Sequence, residues 1–282
     1  MEFSFSSEQD DLRREARAFL EANPSPSMEQ LSELGWVGIL KSDDFTFLDA
    51  AVIFEELGRA LYHGPYVLNE VAGQPGDDVW SIEIDGYVPH LETVERVLRP
   101  DMTAEQASGE TVAAVDEGLE LGRVSRNGSE PAFGSWDDVR RKLLAAFALY
   151  QVGLGSKAIE MAIEYAGSRE QFGKKIGTYQ AISHSLVDGY VAVELSRSLA
   201  YWAAWCVAEN DEQVELAVTA AKSQAGEAAV LACEKSIQAH GGIGFTWEHP
   251  LHRYYKRALW LEGALGYGRE HRAEIAASLL SS

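Results

Sequence analysis

Apolar residues recur along most of this chain at steps of three and four, the period of a helix that buries one face. Val139, Leu143, Ala146, Phe147, Tyr150, Leu154, Ala158, Met161, Ala162 and Tyr165 form one such stripe, with Ser135 and Asp138 placed to cap its start. A second helix is predicted over about 179–209, through Ile182, Leu186, Tyr190, Val193, Leu199 and Trp202. A third follows Asp211 through Val214, Val218, Ala221, Ala225 and Leu231, and a last one from about Pro250 carries Leu251, Tyr255, Leu259, Glu262 and Leu265. Alanine faces such as Ala217, Ala221, Ala225 and Ala229 allow close approach, so residues 136–282 read as an antiparallel four-helix bundle. Trp202, Trp205 and Trp260 read as core or interface fillers.

The same period opens the chain. Ser6 with Gln9 predicts a capping box ahead of Leu12, Ala16, Phe19 and Leu20, and Asn23-Pro24-Ser25-Pro26 breaks that helix. Ser27 with Gln30 caps a short second helix ended by Gly35, and a third closes on Gly58-Arg59, giving a helical domain over 1–70. Residues 71–135 lose the helical period. Short β-prone runs at 79–84, 93–98, 111–115 and 119–124 alternate with Gly, Pro and Asp turns, in a stretch made acidic by Asp101, Glu105, Glu110, Asp116, Glu117, Glu120 and Glu130. About 65 residues suffice for a small open sheet and not for a full barrel.

Composition narrows the function classes. A formal net charge of −20 argues against nucleic acid as a partner. No apolar run approaches the roughly 20 residues needed to span a bilayer. The opening residues lack the basic and apolar regions of a signal peptide, so a cytoplasmic protein away from membranes is expected. Cys206 and Cys233 both lie inside helical patterns and indicate neither a disulfide framework nor a metal site.

The stretch Arg169 to Gln180, REQFGKKIGTYQ, joins the first two bundle helices. Gly173 and Gly177 make it a tight connection, and Arg169, Lys174 and Lys175 around Phe172 suit an anionic, partly aromatic ligand. REQFGKKIG followed by Gln180 resembles the signature of the acyl-CoA dehydrogenases, flavoproteins that desaturate acyl-CoA thioesters. Gln238-Ala239-His240-Gly241-Gly242-Ile243-Gly244-Phe245 resembles the same family's Q-x-x-G-G-x-G-F. The resemblance covers 136–282 well, 1–70 moderately and 71–135 hardly at all. It implies a mainly α fold: an N-terminal helical domain (1–70), a reduced β middle domain (71–135) and the C-terminal bundle (136–282). Two departures stand out. After Leu40 only Lys41-Ser42-Asp43-Asp44 replaces the family's acidic, glycine-rich loop, and no stretch matches its flavin-ring motif in the β-domain.

The resemblance also implies roles for residues. In family dimers the Arg and Phe of the first motif, the following Gln and the Q-x-x-G-G segment reach the neighbouring subunit's FAD. Arg169, Phe172, Gln180, Gln238, Gly241 and Gly242 are therefore expected to bind cofactor. Dehydrogenation needs a carboxylate base at Cα, and the family's two base positions fall on Leu265 and Leu143, which abstract no proton. Glu262 reaches the role only after a three-residue shift; a solvated helix face explains it more simply. The chain thus resembles the shortened, non-catalytic subunit of an α2β2 acyl-CoA dehydrogenase. A full-length partner would supply catalytic Glu and flavin-ring contacts, share FAD and bind an acyl-CoA, steroid-derived by analogy. Two other readings stand beside it: a homomeric flavoprotein using Glu262, and a structural or regulatory partner that never touches flavin.

Overall fold

The computed structural model describes residues 5–125 and 128–281. Helix α1 spans Ser7–Ala22 and α2 spans Met28–Glu33, each opened by the reciprocal Ser–Gln capping box expected from sequence. Helix α3, Phe47–Arg59, is buried along almost its whole length. Helix α4, Tyr66–Ala72, was not expected. All seven of its residues are buried, which erases the polar face that gives a helix its visible period.

The middle region forms short strands: β1 Trp80–Ile82, β2 Arg96–Leu98, β3 Thr103–Gln106, β4 Gly109–Thr111, β5 Gly122–Val124 and β6 Glu130–Pro131. Four of them make a sheet in the order β1-β2-β3-β6, parallel between β1 and β2 and antiparallel beyond, while β4 and β5 pair as a separate hairpin. The expected run at 111–115 shifts to Gly109–Thr111, and β3 and β6 were missed. The reason for β3 is local. Its acidic Glu105, 2% exposed, is neutralised by Arg99, 3% exposed, through Nε–Oε1 at 3.1 Å, so a polar sequence sits inside the sheet.

The C-terminal region contains α5 Trp136–Ser168, α6 Gln180–Glu209, α7 Val214–His240, α8 Leu251–Gly263 and α9 Gly268–Ser281. The expected single last helix is therefore two. Leu265 and Gly266 take φ of 63° and 106°, left-handed values that interrupt any α-helix. Helix α5 is the centre of the molecule, with every residue from Leu143 to Gly155 buried. Helix α3 crosses it at glycines: a Cβ on Gly153 would stand 1.9 Å from the Glu55 carbonyl oxygen, and one on Gly58 1.9 Å from that of Tyr150. The core face of α6 runs Leu186, Gly189, Val193, Ser196 and Ala200. Tyr190, assigned to that face by periodicity, is half exposed and lies with Val187, Val191 and Leu195 on a second apolar face that looks outward. Trp202, Trp205 and Trp260 pack against the core as expected. No helix among the described residues is long and apolar enough to cross a membrane.

Candidate functional site

The connection after α5 is built as a hairpin. Strand β7, Glu170–Gln171, pairs antiparallel with β8, Lys174–Lys175, and the backbone N–H of Ile176 donates to the Arg169 carbonyl at 2.9 Å to close it. Phe172 and Gly173 form the two-residue turn with φ of 53° and 80°, both left-handed, which matches the twist of paired strands. That geometry throws Phe172 outward until it is 94% exposed. Arg169, Lys174 and Lys175 are exposed beside it, with the Lys174 ammonium 4.3 Å from the centre of the Tyr179 ring. Among the described residues the Arg169 guanidinium has no hydrogen-bond or ion-pair partner. Gln180 is the exposed first residue of α6.

The second motif closes α7. Gln238 is exposed in its last turn, and Gly241 takes φ 63° and ψ −139°, a conformation open only to glycine. A Cβ on Gly241 or Gly242 would meet nothing within 4 Å, so the backbone there is bare to an approaching group. Helices α5 and α7 end side by side. Ser236 Oγ donates to the Ala158 carbonyl at 2.8 Å, and His240 stacks on Tyr165 with ring centres 4.4 Å apart. The hairpin and the glycine turn therefore share one end of the bundle. Among the described residues a guanidinium without a partner and two lysines, beside an open glycine turn that lets a ligand come close, form a cationic set that suits a pyrophosphate.

The two positions that the resemblance assigns to the base lie elsewhere. Leu143 is fully buried, and 26 residues of helix at about 1.5 Å rise place it roughly 39 Å along α5 from Arg169. Leu265 is half-buried in the α8–α9 connection, its N–H donating to Asp85 Oδ2 at 3.1 Å. One turn from each, Phe147 and Leu261 line a small cavity of about 30 Å³ with Val67, His90 and Trp260, room for a single water. Glu262 lies on the side of α8 that faces α7, its Cγ 3.4 Å from where a Cβ on Gly226 would stand. Its carbonyl accepts from Lys222 Nζ at 3.2 Å, and its side chain borders a shallow surface cleft with Glu227 and Arg269. Burial lowers the pKa of Lys222 to about 8.

Beside that small cavity lies a buried polar cluster the sequence did not announce. Arg257, 3% exposed, forms an ion pair with Asp116 and donates to the Tyr62 carbonyl at 3.2 Å and the Tyr150 hydroxyl at 3.1 Å. Its Nη2 also meets His63 Nδ1 at 3.2 Å. Burial first, and the Arg257 charge second, lower the His63 pKa to about 4. Its one sequence signal is the position of Arg257 on the same helical stripe as Tyr254, Ala258 and Leu261. Among the described residues no group of three or more His, Cys, Asp and Glu could hold a metal, and both cysteines are buried and unpaired.

Residues 143–280 match the family model of the acyl-CoA dehydrogenase C-terminal domain. Acyl-CoA dehydrogenase IpdE2 of Mycobacterium tuberculosis is 32% identical over 236 residues, which cover 74% of this chain and 71% of the relative. Acyl-CoA dehydrogenase FadE34 of the same organism is 29% identical across 86% of this chain but only 40% of its own length. The fold is similar to a chain of the ChsE4–ChsE5 complex from Mycobacterium tuberculosis (TM-score 0.88, 21% identity, all of both chains). It is also similar to the Tcur3481–Tcur3483 steroid ACAD (TM-score 0.81, 22% identity, 98% and 99% of the two chains).

Proposed function

From the premise that this chain belongs to the acyl-CoA dehydrogenase family, we propose that it is the non-catalytic subunit of a two-component enzyme. It completes the FAD site of a full-length partner while lacking a base of its own. The observation that carries this reading is a separation. The hairpin carrying Arg169 and the Gly241–Gly242 turn face solvent together at one end of the bundle, away from the two leucines. Leucine at 143 and 265, with a cavity of only about 30 Å³ beside them, supports a chain that supplies no base of its own.

Arg169 would grip the pyrophosphate of the partner's FAD with a forked pair of donors, and the open turn at Gly241 and Gly242 would let the same phosphates come close to the backbone. Gln180 and Gln238 would reach ribose or phosphate oxygens, and Phe172 would pack on the cofactor's aromatic face. The flavin, when bound, supplies the two-electron acceptor; the acid–base chemistry belongs to the partner. Two similar folds come from assemblies of two different chains, one of them described as a steroid ACAD, which supports a heteromeric partner and a bulky, steroid-derived acyl-CoA. An α2β2 assembly would then place about one FAD on each heterodimer.

Flavin absorbance of the purified chain, alone and co-purified with its partner, tests the reading. Little or no FAD is expected alone and about one per heterodimer in the complex. Stoichiometric flavin on the isolated chain would overturn it.

A further inference from the structure

A second cavity, of about 280 Å³, opens to solvent between the end of the N-terminal helices, the middle region and α8. It shares no residue with the 169–180 connection. Its walls include His63, Asp116, Gly118, Trp247, Arg253 and Lys256. In a chain of net charge −20 the balance here is unusual. Asp116 is taken up by Arg257, while Arg253 and Lys256 have no carboxylate partner among the described residues. Glu117 is the one other acid on the wall.

Two features make this a built site and not a solvated patch. Trp247 is 71% exposed yet braced: the Lys256 ammonium lies 4.5 Å from its ring centre, and His252 meets it edge-on at 4.5 Å. A fixed indole with one open face loses little freedom when a planar ring stacks on it. His63 is equally fixed. An arginine can only donate, so Arg257 Nη2 at 3.2 Å makes Nδ1 the acceptor and leaves the proton on Nε2. Burial and the Arg257 charge keep this imidazole neutral near pH 7, with its pKa at about 4. The loop reaches the ring through a glycine: a Cβ on Gly118 would stand 2.0 Å from His63 Nδ1.

We propose that this cavity binds a nucleoside phosphate, its base stacked on Trp247 and its phosphate held by Arg253 and Lys256. The ligand chemistry is shared by free nucleotides and by the adenosine diphosphate half of coenzyme A. The cation pair supplies charge, the neutral His63 imidazole leaves that charge uncancelled on the wall, and the indole offers a surface that any purine can use.

Isothermal titration of the purified full-length chain with ADP tests this. Saturable binding is expected. Trp247→Ala and the Arg253→Ala/Lys256→Ala pair should each weaken it about tenfold or more. Trp247→Phe should recover most of the loss, and Arg169→Ala should leave ADP affinity within about twofold. All these side chains are at least partly exposed, and an unchanged thermal midpoint shows that each variant folds. A parallel titration with coenzyme A identifies the source: tighter binding than ADP assigns coenzyme A, and equal affinity assigns a free nucleotide. Absence of ADP binding up to millimolar concentration, or binding that ignores Trp247→Ala, overturns the proposal. Loss of ADP binding in Arg169→Ala with Trp247→Ala unaffected also overturns it, because the ligand would then sit at the bundle end.

Discussion

Tyr165 and His240 stack face to face, ring centres 4.4 Å apart and planes inclined by 21°, and so lock the last turn of α5 to the last turn of α7. Each ring lies just before one of the two motifs. Tyr165 precedes Arg169 by one turn, and His240 precedes Gly241 directly. His240 is held in turn by its Nδ1 contact to the Ser236 carbonyl at 2.8 Å and by His249 on its other side, with ring centres 4.4 Å apart. The stack therefore sets the spacing of the Arg169 connection and the glycine turn without touching a ligand.

Tyr165→Ala should consequently cost more in cofactor retention than in stability. Aromatic pairs are worth about 0.5–1.5 kcal/mol beyond their buried area, so the thermal midpoint should fall by only a few degrees. FAD affinity of the complex should drop by several-fold, while Tyr165→Phe, which keeps the ring, should behave as wild type. Equal FAD affinity in Tyr165→Ala and wild type would show that the spacing of the two motifs is immaterial.

The Arg257–Asp116 pair predicts a different response. Both side chains are almost fully buried, and Asp116→Ala leaves a buried guanidinium without its counter-charge. Breaking such a pair typically costs about 3–5 kcal/mol. The urea midpoint should therefore shift strongly. The double variant Asp116→Leu/Arg257→Met should restore most of the loss, since apolar replacements of both partners remove the penalty. A single variant that unfolds at the wild-type midpoint would rule out the pair as a strut between the middle region and α8.

Histidine burial gives the expected pH dependence. His90 is fully buried, and burial lowers its pKa from 6.5 to about 3; that of His63 falls in the same direction. Between pH 6.5 and the folded pKa, the unfolded chain binds protons that the native state refuses, so stability is intact above about pH 6.5 and falls as the pH drops below it. His90 alone contributes a slope of up to about 1.4 kcal/mol per pH unit. Denaturation midpoints from pH 7.5 to 4.5 should fall steadily, and His90→Gln, which cannot titrate, should flatten the decline.

A fourth expectation concerns catalysis. If Leu143 and Leu265 stand at the family's base positions, Glu262→Gln, in a side chain that borders a shallow cleft, should change turnover of the complex by less than about twofold. Loss of a general base typically costs about 10²–10⁴-fold. A drop of that size with flavin still bound would assign the base to this chain and revive a homomeric enzyme.

What the sequence made legible follows the physics of each element. Long one-sided helices were readable because their period survives: the Ser6, Ser27 and Ser135 caps fall where expected, and α5 through α7 begin within a residue or two of their predicted starts. Helix α4 was invisible because burial on all sides removes the period. Strand β3 was hidden because Arg99 neutralises Glu105 from a distance that sequence does not display. The break at Leu265–Gly266 was missed because leucine is a strong helix former and its left-handed φ is imposed by tertiary contacts such as the Asp85 bond. Motif residues could be named from their order. That Arg169 and Gly241 share one end of the bundle follows from the antiparallel bundle read in sequence, whose first and third helices run in the same direction; that α5 and α7 end side by side is what packing adds.

Arg169 offers the sharpest test of what this chain contributes. Its side chain is exposed and has no partner among the described residues, so nothing in the fold described here depends on it. Its backbone does the structural work, with its N–H on the Tyr165 carbonyl at 2.8 Å and its carbonyl taken by Ile176 at 2.9 Å, and substitution preserves both bonds. If the guanidinium clamps the pyrophosphate of a partner-bound FAD, Arg169→Ala removes a charge-assisted contact worth about 1.5–3 kcal/mol. FAD affinity of the complex should then fall roughly 10–100-fold. The chain should fold and assemble normally, and excess FAD should restore much of the turnover if, as proposed, the base and the flavin-ring contacts belong to the partner. Arg169→Lys should recover only part of the affinity, since an ammonium cannot reproduce the planar fork. Flavin release measured against FAD concentration, beside oligomeric state by size exclusion, separates the outcomes. A complex that dissociates at unchanged FAD affinity would make Arg169 an interface residue and the cofactor reading of this loop wrong.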